Sequence, residues 1–381
     1  MKLKFILKPL DTIFFGEEKS PFKQEYFQQS RMLPQQTTVL GFLRYEALRR
    51  AGKLGKDPKL SNWDILIGRE SFNGSNGQTF GIIKNISPVS IFHISEKYDL
   101  YPLRDPCGFK TTPIDVKVDF CDGTIWDQLF LFEKEKFNRF DPKKGEQSSI
   151  IFSDYKTQNF KAACSTEKDY KKAHGFDAPD NNGIFWPDIR PGITKNYKGI
   201  PNDEGYFRTK FWRMMSCFAY SFTTEIEENS ELTEAMWKDK AIVRFGGDGS
   251  LYSMESVDLE YEKNDNTGNV FVLLSDALVN NDIYHFCSVA VTDTLHFRNI
   301  RTTTSDIRFT KRANEWSEWK KNPTITEAKI FMEHGSILIA REGEEENLAN
   351  ALSNETSFRN IGYNHYKRFD KLPKGIEHDN H

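Results

Sequence analysis

The opening fifty residues constrain the fold most, because they set out a strand, an aromatic loop and a helix in that order. KLKFIL (2–7) has the spacing of a short strand. It runs into KPLDTIFFGEEKSPF (8–22), and after a polar gap comes MLPQQTTVLGFLRYEALRR (32–50). There Val39, Leu40, Leu43, Ala47 and Leu48 form the stripe of an amphipathic helix, with Thr37 or Thr38 as the expected cap. A helix start of this kind is also a phosphate site in waiting, since its first amides lack partners.

Composition narrows the class. At 381 residues the chain has room for two ordinary domains, and its 31 Phe supply a core built from aromatics. The net charge is −3, which argues against a uniformly basic nucleic-acid coat and leaves room for a local site. The five cysteines are scattered, without a CxxC, so a disulfide framework or a zinc site is not expected and the expected compartment is the reducing cytoplasm. The apolar run at the N-terminus stops at Lys8, too short for a signal peptide. No window reaches the roughly 18 apolar residues of a membrane span.

Along the rest of the chain, residues 79–95 read as a strand pair and 126–137 as a helix. Residues 142–149 read as linker, and 177–192 as irregular chain rich in Pro, Asn and Gly. Residues 205–226 alternate aromatic and β-branched side chains as strands do, 231–239 reads as a short helix, and 241–261 as strand, glycine turn, strand. Residues 331–341 read as a late strand pair, followed by a helix at 342–353 with an acidic first turn that suits its dipole. The expected class is α+β, with two ferredoxin-like (RRM-like) domains with insertions, residues 1–200 and 201–381. Such domains often hold RNA on backbone amides, stacked rings and arginines.

Three segments carry chemistry. Gly246-Gly247-Asp248-Gly249 lets backbone approach a phosphate or a base closely, or is simply a tight hairpin turn. A polymerase palm would need a second carboxylate, and Gly249 stands in its place. Residues 295–313 carry Arg298, Arg301, Arg308, Lys311 and Arg312 against the single acid Asp306, a composition that suits single-stranded RNA or a solvated loop. Residues 206–213 alternate rings with Arg208, Lys210 and Arg213, so one strand face could stack bases while the other packs inward. The eight histidines show no metal-ligand spacing, and neither GxxxxGK[ST] nor GxGxxG occurs.

The order of these blocks resembles one family. Pro9, Asp11, Phe14, Phe15, Pro21 and Phe22, then Pro34, Thr37, Thr38, Gly41 and Arg44, match the opening of the RAMP-superfamily subunit that holds the crRNA 5′ handle in type III-B (Cmr-type) CRISPR effector complexes. Arg190, Gly192, Ile193, Glu204, Gly205, Tyr206 and Phe207, then the 244–250 turn and the 331–338 segment, match later blocks. Gly16-Glu17-Glu18-Lys19 departs from the family's Arg-Asp-Gly-Arg, leaving Lys19 as the nearby cation, and the terminal Gly-x-Gly keeps Gly362 alone.

The resemblance implies a non-catalytic RNA-binding subunit, without a cofactor, whose partners are the crRNA 5′ handle, the large polymerase-like subunit, the backbone RAMP subunits and, indirectly, target RNA. Expected contacts are Phe14, Phe15, Lys19, Thr37, Thr38 and Arg44, with Arg190, Lys195, Arg208, Gly246, Gly247, Gly249, Arg298 and Arg301. The alternatives are a metal-independent crRNA-processing endoribonuclease, for which Tyr252 with His285 is the best available pair, and a protein-only scaffold subunit.

Overall fold

The computed structural model describes residues 1–16, 27–54, 62–104, 150–153, 184–195, 199, 201–228, 231–259, 267–301 and 324–369. The fold is α+β and mostly strand. Its first half runs β1 (Lys2–Pro9), β2 (Phe27–Gln29), α1 (Gln36–Arg50), α2 (Trp63–Ile67), β3 (Ile83–Ile86), β4 (Ser90–His93), β5 (Tyr98–Arg104), β6 (Ile150–Ser153), β7 (Phe185–Lys195) and β8 (Pro201–Met214). It continues with β9 (Phe218–Ile226), α3 (Glu234–Lys238), β10 (Ala241–Phe245), β11 (Ser250–Asp258), β12 (Val270–Leu273), β13 (Ala277–Leu278) and a 3₁₀ turn (Asn281–Phe286). Last come β14 (Cys287–Val291), β15 (Thr294–Phe297), β16 (Ile300–Arg301), β17 (Thr324–Ile325), β18 (Lys329–Met332), β19 (Ile337–Ala340), α4 (Glu345–Ser353), α5 (Thr356–Asn360) and β20 (Tyr366–Phe369).

The largest sheet has the order β10-β11-β1-β9-β4-β5-β6, with β3 also on β9. β1 pairs antiparallel with β9 on one side and β11 on the other. This sheet therefore crosses residue 200, where a domain division was expected, because the partners of the first strand come from residues 218–258. The alternation of β1 sets the layers. Leu3, Phe5 and Leu7 point into the core, while Lys2, Lys4, Ile6 and Lys8 stand on the other face. Phe5 stacks on Phe222 at 5.5 Å and meets Trp237 edge-on at 5.9 Å. Full burial of such side chains contributes roughly 1.5–3 kcal/mol each, so an aromatic core compensates for modest Leu and Val content.

A second sheet has the order β14-β19-β12-β20. Here the expected late strand pair divides: β19 pairs with β12 and β14, whereas β18 pairs with β13 and β15 in a separate sheet. Likewise β3 and β4 do not pair with each other but both pair with β9. In each case the pattern identified strands and a non-local partner decided the pairing. The expectation of irregular chain over 177–192 is corrected from residue 185 on. β7 is a strand despite Pro187 and Pro191, because among the described residues it is an edge strand whose outer side needs no amide donor. The expected helix at 126–137 and linker at 142–149 lie outside the described residues.

The α1 stripe is buried as expected, joined by Phe42 and by Glu46, which is tied to Arg49 and Arg50. The expected threonine cap is corrected. Gln35 is the N-cap residue, without a side-chain bond, and Thr37 and Thr38 already lie inside the first turn.

The two sheets meet at the entry to α1. Gly362, at φ +99°, lies so close to Gln36 and to the Ser87 carbonyl that an added Cβ would stand 2.6 and 2.8 Å from them. Beside it the buried Asp276 carboxylate accepts a hydrogen bond from the His334 ring at 2.6 Å and faces Arg31 at 3.9 Å. Burial pushes the His334 imidazole down, but the Asp276 charge and hydrogen bond outweigh it and hold it above its ordinary value. Burial pushes the Asp276 carboxyl up, and the His334 charge outweighs that and holds it below the carboxylate range. A raised histidine adds stability that is full below its unfolded pKa of about 6.5 and is lost as pH rises through the folded value. Thermal unfolding followed against pH should show stability falling as pH rises above about 6.5. His334→Ala should remove that slope and cost about 3 kcal/mol, because Asp276 would remain buried without its nearest partner.

Candidate nucleic-acid interface

The Gly246–Gly249 segment is the turn between β10 and β11, closed by a hydrogen bond from the Gly249 amide to the Gly246 carbonyl at 3.2 Å. Its glycines differ in what they do. Gly246 adopts φ +89°, and an added Cβ would lie 2.9 Å from the Phe14 carbonyl oxygen and 3.2 Å from the Phe15 ring. It is the seat on which the aromatic loop rests. Gly249 requires its φ of +67°. A Cβ added at Gly247 would meet nothing within 4 Å, and the residue is exposed, which leaves this side of the turn open to a ligand.

The aromatic loop links this turn to the ribbon formed by β7 and β8. Ile13 exchanges backbone hydrogen bonds with Trp212, at 2.7 and 3.1 Å. The Trp212 indole donates to the Ser30 carbonyl, and the Phe15 amide donates to the Ser30 hydroxyl at 2.9 Å. Phe15 packs edge-on against Tyr220 and Phe245. Phe14 leans on Phe211 at 5.3 Å, and the Arg190 guanidinium lies over the same Phe211 ring at 4.8 Å. Arg190 also pairs with Asp188 at 3.0 Å, which in turn pairs with Arg213 at 2.8 Å. The Asp188 hydrogen bond, with the charges of Asp11 and Asp248 nearby, raises the Arg190 pKa. The hydrogen bonds and ion pair of Arg190 go to Asp188 on its own strand, and its guanidinium covers the Phe211 ring on which Phe14 leans.

The structure therefore brings together Phe14, Phe15, Arg190, Gly246, Gly247 and Gly249. Arg208 is exposed on β8, opposite Pro191 and beside Phe27 of β2. Lys195 ends β7, and Lys19 lies outside the described residues. Arg44 departs from the expected surface position. It is half-buried beside the Phe80 ring and donates to the Glu70 carbonyl at 2.9 Å, and desolvation pulls its pKa down to about 10. Arg298 is exposed after β15 and Arg301 ends β16, in sheets other than that of the glycine turn. Sequence reasoning passed over Ser30, Asp188 and Arg244. For Arg244 the signal was present, since inward Val243 and Phe245 force the residue between them outward.

The pair considered for acid–base cleavage does not serve. Tyr252 is fully buried beneath the turn among Phe245 and Tyr220, and burial drives its hydroxyl pKa well up, while His285 is exposed on the 3₁₀ turn of the other half. Among the described residues no group of three His, Cys, Asp or Glu is placed to hold a metal ion. No helix among them is long and apolar enough to cross a membrane.

A search of curated protein sequences finds no match. Among solved structures, the chain is similar to one in the cryo-EM structure of the type III-B Cmr-beta bound to cognate target RNA and AMPPnP, with 15% identity, 97% of each chain covered and a TM-score of 0.51. A chain of the type III-B Cmr-beta bound to cognate target RNA follows at 15% identity, 96% coverage of each and TM-score 0.48. One from the Csm3–Csm4 subcomplex of the type III-A CRISPR-Cas interference complex matches at 14% identity, covering 90% of this chain and 93% of that one, with a TM-score of 0.37. The family model described as CRISPR-associated protein (Cas_Cmr3) matches residues 5–367, nearly the whole chain. The chain belongs to the Cas_Cmr3 family of CRISPR-associated proteins.

Proposed function

We propose that the chain is a non-catalytic subunit of a type III-B CRISPR effector complex that holds the 5′ repeat-derived handle of the crRNA. In this role it docks the large polymerase-like subunit beside the backbone RAMP subunits and meets target RNA only through the guide. The observation that carries the reading is the glycine turn seated on the aromatic loop, with the Gly247 backbone open, in a chain that matches Cas_Cmr3 from end to end. An exposed backbone amide suits a phosphate and requires no catalytic group. Arg208 supplies an exposed charge, whereas Arg190 is held by Asp188 over the Phe211 ring on which Phe14 leans. Phe14 and Phe15 act as the floor of the site, and Lys19, Lys195, Thr37, Thr38, Arg298 and Arg301 remain proposed contacts farther along the RNA.

The same reading treats the fold as two ferredoxin-like units. Support comes from the strand orders β11-β1-β9-β4 and β20-β12-β19-β14, which follow the split βαβ arrangement with β1 and β12 as first strands. The units would divide between residues 259 and 270, after β11 and before β12.

Small RNA copurifying with the tagged chain, co-expressed with its neighbouring genes, should share one 5′ end of about eight repeat-derived nucleotides. Partner proteins recovered with no enriched RNA would leave a protein-only scaffold. Gly247→Asp should leave the fold intact, because the site of the added side chain is open, and should weaken handle binding at least tenfold in a filter-binding assay. Gly246→Ala should instead lower stability by about 1–2 kcal/mol, the cost of a left-handed residue, as read by thermal melting. Arg208→Ala should lower affinity for the handle and reduce the salt slope by about 1.

A further inference from the structure

The face of the large sheet opposite its helices holds a second surface. On β1 it presents Lys2, Lys4, Ile6, Lys8 and then Leu10. β11 adds Leu251, Ser253, Glu255 and Val257, and β10 adds Ile242 and Arg244. Register groups them into rows: Leu251 lies between Leu10 and Arg244, Ser253 between Lys8 and Ile242. The aliphatic members stand well out of the surface, with Ile242 67%, Leu10 52% and Leu251 45% exposed.

Charge on this face is one-sided. With Lys240 just before β10 it carries five cations against Glu255 on these three strands, in a chain whose net charge is −3. Lys240 pairs with Glu255, Lys4 reaches across to Asp99 and Lys2 stands opposite Glu225 of β9, while Lys8 and Arg244 make no ion pair among the described residues. The edge of the sheet is also open there, since among the described residues β10 pairs only with β11. The Phe92 ring beneath Lys4 is buried, and β10, β11 and β1 themselves present no ring on this face, so these strands offer bases nothing to stack on, and aliphatic side chains interspersed with cations are better matched by protein than by RNA.

We infer that this face of β10, β11 and β1 is a protein-docking surface, whose occupant is a partner subunit presenting an apolar strip bordered by Asp and Glu. It rests on the reading of the chain as a subunit of an assembly, and it is independent of the RNA site, which lies on the aromatic-loop side of the turn. Complementary charge would steer encounter and fix orientation, and Ile242, Leu251 and Leu10 would supply the desolvated centre.

The test uses lysine acetylation footprinting by acetic anhydride, comparing the full chain alone with the complex co-expressed from its neighbouring genes. Lys2, Lys8 and Lys240 should be at least fivefold less modified in the complex, with exposed Lys97 as an unchanged reference. Lys8→Glu combined with Ile242→Glu, both at surface positions, should lower recovery of one protein subunit at least tenfold while the chain's melting temperature holds. Protein partners recovered with these lysines modified as in the free chain would overturn the docking inference alone. So would loss of RNA from the doubly substituted chain with every protein subunit retained. A wild-type chain recovered without any partner protein would overturn the assembly reading, and the docking surface with it.

Discussion

The pairing of β1 between β9 and β11 is the constraint from which the rest follows. Eight residues at the start of the chain find their partners more than two hundred residues later, and each side of the strand is committed to a different one. The chain leaves β1 as a loop that must run beside the ends of those partners. Leu10 donates to the Leu251 carbonyl, and Ile13 bridges to Trp212, so Phe14 and Phe15 arrive under the β10–β11 turn rather than in solvent. Loop closure across such a separation costs only a slowly growing entropy, and the apolar face of Leu3, Phe5 and Leu7 offsets it.

Within the site, conformation and charge are divided between residues. Gly246 carries the steric cost of the close approach to Phe14, and Gly247 is left free of neighbours. The most conspicuous cation, Arg190, is occupied by Asp188 and lies near Asp11 and Asp248. Its contribution is to hold geometry, and a ligand would gain less Coulombic attraction from a guanidinium already paired with a carboxylate. Cations without an ion pair among the described residues sit elsewhere, at Arg208 on the ribbon and at Lys8 and Arg244 on the open sheet face. This separation lets an acidic chain present cations on two separate faces.

Much of the local structure was legible in the sequence. The strand 2–7, helix 36–50, glycine hairpin and helix 345–353 all follow from apolar period and turn residues. Pairing was not legible, because period assigns a residue to a face and says nothing about a partner. That is why β18 and β19 separate into different sheets and why the large sheet crosses residue 200. β7 was missed because Pro187 and Pro191 mark irregular chain everywhere except on an edge strand. Of the proposed contacts, Phe14, Phe15 and the glycines assemble as one site. Arg44 was misread because its place on the helix could not reveal that Phe80 and the Glu70 carbonyl would enclose it. Asp188 and Ser30 escaped notice because an acid and a serine attract attention only once their partners are in view.

The central claim, that RNA lies across the glycine turn and the adjoining ribbon, is tested most directly by ultraviolet crosslinking of the assembled complex. Crosslinked peptides would be mapped by mass spectrometry and the attached nucleotides identified. The account predicts crosslinks from the 5′ end of the guide to peptides covering residues 206–213 and 246–250. Crosslinks confined to other segments of the chain, with these two peptides unmodified, would contradict it.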